Sequence, residues 1–288
     1  MTSEQENYTK ISVRMKIAFF GTDDFSVKVL ETLKKEGLLP TLIITTKDKP
    51  KGRKLVLTPC EVKIWAQENN VEYLEPEKLN AEFQELYKKY EIDLGVVASY
   101  GKIIPEAVLE IPKHKTINVH PSLLPKLRGA SPLQSAILEE NETGVTIIKL
   151  DKEMDHGPIL AQQKLDINWP PYIYELKEMT AKLGGEMTLK VIKDINENKL
   201  NEVEQNHNEA TFTKKIEKKM AEINLNDAPD INLRKIRALQ DYNPFFYDNE
   251  KRIIIKKAHI KDNELVIEKV VPEGKKEMDY SDYLRGKK

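Results

Sequence analysis

A single cysteine, Cys60, stands in 288 residues, so no disulfide can form within one chain and a reducing cytoplasm is the expected setting. No apolar run approaches the about 20 residues that a membrane-spanning helix needs, and no apolar stretch of leader type follows the polar N-terminus. Glycine is sparse, 12 in all, and its placement is informative. The turn Gly21-Thr22-Asp23-Asp24-Phe25 lacks the second and third glycines that let a backbone approach a pyrophosphate, and its two aspartates would repel one. That argues against NAD or FAD. No Walker sequence and no His/Cys/Asp cluster at ligand spacing occurs, so no metal is expected. Neither sign of charge prevails: 46 Lys and Arg face 47 Asp and Glu, which excludes a globally basic nucleic-acid coat but not a local patch.

Strands and helices alternate along most of what is present. Residues 16–20 form an apolar run ended by Gly21, and Phe25, Val29, Leu30 and Leu33 recur at helical spacing behind a capping aspartate at 23 or 24. Further strands are predicted over 41–46, 93–99, 115–120, 145–150 and 159–167. Helices are predicted over 59–69, 79–90, 105–110, 132–140 and 174–197. This order predicts an α/β fold with a doubly wound, mostly parallel, Rossmann-like sheet. Residues 1–14 read as a disordered extension, 15–200 as the large domain, 201–210 as a polar linker and 211–288 as a smaller, β-rich domain.

Charge is unevenly shared between them. From Thr211 onward 18 Lys and Arg stand against 14 Asp and Glu, whereas the preceding chain has 28 against 33. The cationic excess favours a nucleic-acid partner for the small domain. Residues 47–54, Lys-Asp-Lys-Pro-Lys-Gly-Arg-Lys, read as a cationic loop. Lys214, Lys215, Lys218 and Lys219 recur along a predicted helix, as an RNA track or a solvated face. Arg234 and Arg237, spaced i,i+3, are placed to face RNA or to pair with acids.

The richest chemistry lies at the end of one strand. Asn118-Val-His120 closes an apolar run, and residues i and i+2 of a strand point to the same face. Asn118 and His120 would project together from the C-terminal end, where open α/β sheets place their ligands. An amide donor beside an imidazole suits attack on a carbonyl, where an oxyanion must be held and a proton moved. A buried Asn and His that satisfy each other would give the same pattern.

A resemblance narrows the choice. Gly21-Thr22 with Phe25, Lys49-Pro-Lys-Gly-Arg53, Ala98-Ser-Tyr-Gly101, Asn118-Val-His120, Ser122-Leu-Leu-Pro125, Arg128-Gly-Ala-Ser-Pro-Leu-Gln134, Glu142-Thr-Gly-Val-Thr146 and Met154-Asp155-His-Gly157 together resemble the methionyl-tRNA formyltransferases. The likeness runs from Lys16 over almost the whole chain. It implies a transferase that moves a formyl group from 10-formyltetrahydrofolate to the amino group of initiator methionyl-tRNA, in the cytoplasm, without a metal. It also implies roles. Asn118 would donate to the oxyanion, His120 would donate to it or relay a proton, and Asp155 would orient His120. Ser122, Leu123, Leu124 and Pro125 would shape the folate site, with backbone contacts from Tyr100 and Gly101. Lys51, Arg53 and Lys54 would meet the tRNA.

The tail, with Arg237 to Pro244 and Gly274-Lys-Lys-Glu-Met278, resembles the family's tRNA-binding domain of oligonucleotide-fold (OB) type, but it is short, so a truncated barrel is expected. Pro121 stands where the family usually has glycine, which should stiffen the turn into Ser122, and Asp23 where it usually has proline. Two other readings remain at this stage: a formyltransferase acting on a nucleotide-linked amino sugar, which generally lacks the cationic loop, and a tRNA-binding protein without catalysis. A monomer is expected, since no apolar surface stripe stands out.

Overall fold

A computed structural model describes residues 15–52 and 55–286. The extension 1–14, Arg53 and Lys54 lie outside the described residues. In chain order the elements are β1 (Ile17–Gly21), α1 (Asp24–Lys35), β2 (Leu42–Ile44), β3 (Lys49–Lys51), β4 (Val56–Thr58), α2 (Glu61–Glu68), β5 (Tyr73–Leu74), α3 (Ala81–Lys88), β6 (Leu94–Ala98), α4 (Glu106–Leu109) and β7 (Thr116–His120). Next come α5 (Pro132–Glu139), β8 (Gly144–Lys149), β9 (Ile159–Lys164), α6 (Ile173–Asn196), α7 (Pro229–Ala238), β10 (Phe245–Asp248), β11 (Lys251–Lys261), β12 (Glu264–Pro272), β13 (Met278–Asp279) and α8 (Tyr280–Arg285).

The chain divides into two compact units that are not consecutive in sequence. Among the described residues the first spans 15–125, 144–163 and 178–210, and the second 126–143, 164–177 and 211–286.

The first unit is built on a seven-stranded sheet in the order β5-β2-β1-β6-β7-β8-β9. β1 pairs in parallel with β2 and β6, β2 with β5, and β6 with β7; β8 runs antiparallel to β7. The central strands β1 and β6 are buried at every position, as parallel strands covered on both faces should be. Asp23 caps α1, its carboxylate accepting from the Ser26 N–H. Gly184 and Gly185 sit inside α6, where each costs about 1 kcal/mol against alanine. Packing explains them: a Cβ on Gly184 would lie 2.4 Å from Val119 of β7, and one on Gly185 2.6 Å from Thr32 of α1. These glycines let the helix lie directly on the strand that carries Asn118 and His120.

The second unit holds a four-stranded antiparallel sheet in the simple order β10-β11-β12-β13. Ile223, Leu233, Ile236, Phe246, Ile253, Ile255, Ala258 and Val270 form its core. The residues between Ile255 and Gly274 are spent on one long β11–β12 hairpin, so the sheet stays an open meander among the described residues rather than closing as a barrel.

Four expectations need correction. The cationic loop is in part a hairpin, with β3 paired to β4 through Lys49–Thr58, Pro50–Leu57 and Lys51–Val56. The strand predicted over 159–167 stops at Lys164. The lysines from 214 to 219 do not share a helix: only a single 3-10 turn, Lys218–Ala221, forms there. Arg234 and Arg237 are half-buried, and the partners they hold are mainly backbone carbonyls rather than acids. Arg234 donates to the Ile137 and Glu140 carbonyls and to Asn141 Oδ1, closing the C-terminal end of α5. Arg237 donates to the Pro170 carbonyl and lies 4.9 Å over the Tyr172 ring.

Candidate active site

The parallel strands β1, β2, β6 and β7 all end at one edge of the first unit's sheet, so the segments that follow them gather there. The turns after β1 and β6 are stitched together. Ser26 Oγ donates to the Ala98 carbonyl at 2.6 Å, Ser99 Oγ to Asp23 Oδ2 at 2.6 Å, and the Gly101 N–H to Thr22 Oγ1 at 3.4 Å. Gly21 is glycine because a Cβ there would lie 2.7 Å from Ser26 Cβ. It makes room for this stitch rather than for a phosphate, and the Asp23 carboxylate already occupies the N-terminus of α1.

β7 brings Asn118 and His120 to the same edge. The His120 ring is buried, whereas Asn118 is the one half-exposed residue of its strand. Asp155 arrives from the loop between β8 and β9. Its Oδ1 lies 3.4 Å from Asn118 Nδ2 and 3.5 Å from His120 Nδ1. One carboxylate oxygen thus meets both side chains. An amide nitrogen carries two N–H groups, so Asn118 can hold Asp155 with one and keep the other for a substrate oxygen. Asp155 has φ +50°, in the left-handed region that aspartate tolerates better than most residues.

The segment Ser122–Pro125 follows at once. The Ser122 N–H donates back to the His120 carbonyl at 2.9 Å, a three-residue turn centred on Pro121, whose ring fixes the φ that such a turn requires. Thr146 of β8 then secures the segment: its hydroxyl donates to the Ser122 carbonyl at 2.7 Å and accepts from the Leu124 N–H at 3.2 Å. Gln162 Nε2 adds bonds to the Leu124 carbonyl, 2.8 Å, and to Thr146 Oγ1, 2.9 Å. Ser122 and Leu124 face inward, while Leu123 and Pro125 stay half-exposed, an apolar surface directly beyond His120.

Tyr100 turns its ring away from this edge and packs edge-on against Phe20, 5.5 Å between centroids, and burial pushes its phenol up to about 12. Gly101 is exposed, so what this turn offers a ligand is backbone. Neighbouring Lys102 donates to the Pro76 and Glu77 carbonyls, and burial together with the charge of Lys49 holds its ammonium below the ordinary lysine range. Lys51 lies on β3, exposed and 2.8 Å from Glu61, an ion pair too open to lock it in place.

Two contributors were not assigned from the sequence. Thr146 belongs to the motif run 142–146, but nothing local reveals which backbone it holds. Gln205 lies in the segment read as a linker. It is buried, and its Nε2 donates to the Asp155 and Gly157 carbonyls at 2.9 and 2.7 Å. Among the described residues no group of three or more His, Cys, Asp or Glu is arranged to hold a metal ion, and no helix is long and apolar enough to cross a membrane.

Comparison with known proteins gives the family. A formyl transferase family model matches residues 15–192. The methionyl-tRNA formyltransferase of Ehrlichia chaffeensis is 41% identical over 249 residues, 85% of this chain and 80% of that protein. The one from Sulfurihydrogenibium sp. (strain YO3AOP1) is 40% identical over 229 residues, 78% of this chain and 74% of the relative. Among solved structures, methionyl-tRNA formyltransferase from Clostridium thermocellum superposes with a TM-score of 0.63 over 90% of this chain and 98% of its own, at 19% identity, a likeness of fold. With the family model covering the α/β unit and relatives above the identity at which a family is secure, the chain belongs to the methionyl-tRNA formyltransferase family.

Proposed function

We infer that the chain transfers a formyl group from 10-formyltetrahydrofolate to the α-amino group of initiator methionyl-tRNA, giving N-formylmethionyl-tRNA for translation initiation. The observation that carries this reading is the meeting of Asn118 and His120 on one oxygen of Asp155 at the C-terminal end of β7. The family membership supplies the reaction class.

The roles follow from the chemistry of acyl transfer. The folate supplies an activated formyl carbon on N10. A free α-amino group titrates near about 7.7–8.0, so a usable fraction is already neutral at physiological pH and needs no strong base. Asn118 donates its second amide N–H to the oxyanion that forms as the amine adds to the formyl carbon. His120 carries a proton between the attacking nitrogen and N10: the new C–N bond forms, the C–N10 bond breaks, and the proton lost by the amine ends on N10. Asp155 holds His120 and Asn118 in one orientation, which is worth most if both act in the same transition state. No covalent enzyme intermediate is needed.

The half-exposed Leu123 and Pro125, with the backbone at Tyr100 and Gly101, fit the flat, partly apolar ring of a folate. Lys51, Arg53 and Lys54 provide cations for tRNA phosphate on the segment after β2, and the protein acts as a cytoplasmic monomer. A nucleotide-linked amino sugar would need no cationic hairpin of this kind.

The test is acceptor choice. Charge reversal at Lys51, Arg53 and Lys54 should raise the KM for methionyl-tRNA by more than about tenfold, as expected for several lost phosphate contacts, while the folate KM is unchanged. Unchanged turnover on methionyl-tRNA would overturn the role given to the hairpin, and faster transfer to an amino sugar than to methionyl-tRNA would overturn the acceptor.

A further inference from the structure

The polar run 201–207 runs back along the loop that carries Asp155. Val203 and Ile159 exchange both backbone hydrogen bonds, at 2.8 and 2.9 Å. Gln205 then spans the Asp155 and Gly157 carbonyls with a single amide nitrogen, and the His207 ring stacks flat on His156, with centroids 4.0 Å apart and planes 2° from parallel. Three successive contacts, at 203, 205 and 207, thus tie down 155 to 159. The loop is confined from the other side as well. A Cβ on Gly157 would lie 1.9 Å from the Lys149 carbonyl oxygen, so β8 and the strap leave it little room to shift.

We propose that Gln205 is a positioning residue for catalysis, which acts by fixing the backbone of Asp155 so that one carboxylate oxygen reaches both Asn118 and His120. This rests on the catalytic reading of Asp155 given above. The amide nitrogen has two N–H groups and gives one to each of two buried carbonyls two residues apart. The peptide units 155–156 and 157–158, on which those carbonyls lie, are therefore pinned in one orientation. Pinning the Asp155 carbonyl sets its ψ, and with φ at +50° that directs Cβ and the carboxylate. A buried glutamine whose only task is to satisfy carbonyls would affect stability. A glutamine that aims Asp155 must affect the rate, because a misplacement of about 1 Å at a reacting group can cost about 100-fold.

The experiment compares Gln205→Met, Asp155→Ala and the double variant in the full-length protein, with kcat, both KM values and thermal melting for each. Gln205→Met keeps the length of the side chain but has no donor. Its kcat should fall by about 10- to 100-fold with both KM values within about twofold, and the double variant should be no slower than Asp155→Ala. Wild-type kcat in Gln205→Met, or losses that multiply in the double variant, would overturn the proposal. Full activity in Asp155→Ala would instead overturn the catalytic reading of Asp155, and the proposal with it.

Gln205→Glu keeps the test decisive if the methionine variant does not fold. Its ionised carboxylate cannot donate, whereas the protonated acid returns one O–H donor. Its turnover relative to wild type should therefore rise as pH falls below neutrality. A constant ratio across that range would count against the positioning role.

Discussion

Thr146 faces His120 directly across the antiparallel β7–β8 ladder, so the two side chains share one face of the sheet. The hydroxyl that fastens Ser122 and Leu124 is thereby set beside the imidazole proposed to move the proton. The surface proposed for the folate and the strand proposed to carry the catalytic pair are positioned by the same two strands, and a disturbance at Thr146 should reach both.

Thr146→Val keeps the shape but leaves the Leu124 N–H and the Ser122 carbonyl without this partner. A loss of about 1–3 kcal/mol is expected from the unsatisfied buried groups, together with a raised folate KM. Urea unfolding and steady-state kinetics check this. Lost stability with an unchanged folate KM would show that the Ser122–Pro125 segment does not form the donor site.

Gly157→Ala places a methyl group where the Lys149 carbonyl oxygen stands, 1.9 Å from it. Overpacking of this kind costs about 1–3 kcal/mol, and the loop must move, taking Asp155 with it. The predicted outcome is a kcat loss larger than the change in melting temperature alone would cause. A variant with normal kcat would show that the position of the loop does not limit the reaction.

Arg234→Met removes the donors that close the C-terminal end of α5 at the Ile137 and Glu140 carbonyls. The account expects about 1–3 kcal/mol less stability in denaturant. If Arg234 acted on RNA instead, the KM for methionyl-tRNA would rise at unchanged stability.

Alkaline pH should unfold the protein through its buried phenols. Burial raises Tyr100 from 10.0 to about 12, and burial raises Tyr87 further. A folded-state value above the unfolded one gives a contribution that is complete below about 10 and lost as pH rises through about 12. Phenolate absorbance from these two rings should therefore appear together with loss of far-UV circular dichroism. Complete ionisation before unfolding would contradict their burial.

Much of the first unit was legible because its signals are local. Continuous apolar runs mark β1 and β6, and the i,i+2 spacing of Asn118 and His120 puts them on one face whatever the tertiary structure. Thr146 and Gln205 were not legible in the same way. Their partners lie 24 and 50 residues away along the chain, and a polar residue in a polar run has no period to betray that it is buried. The β3–β4 hairpin was missed because its strands, Lys-Pro-Lys and Val-Leu-Thr, bury neither face and so show no alternation. Pro229 at the first turn of α7 was a usable start signal that puts the i,i+3 arginines on a helix, but the carbonyls they bind lie 67 to 97 residues away along the chain and leave no local signal.

Single-turnover transfer of labelled formyl from 10-formyltetrahydrofolate to initiator methionyl-tRNA, run beside His120→Ala, tests the central claim most directly. The account predicts transfer by the wild-type chain and a rate about 100- to 10,000-fold lower in the variant, the usual worth of a positioned proton carrier, with folate binding retained. Transfer at the wild-type rate by His120→Ala would contradict the mechanism, and absence of transfer by the wild-type chain despite folate binding would contradict the function.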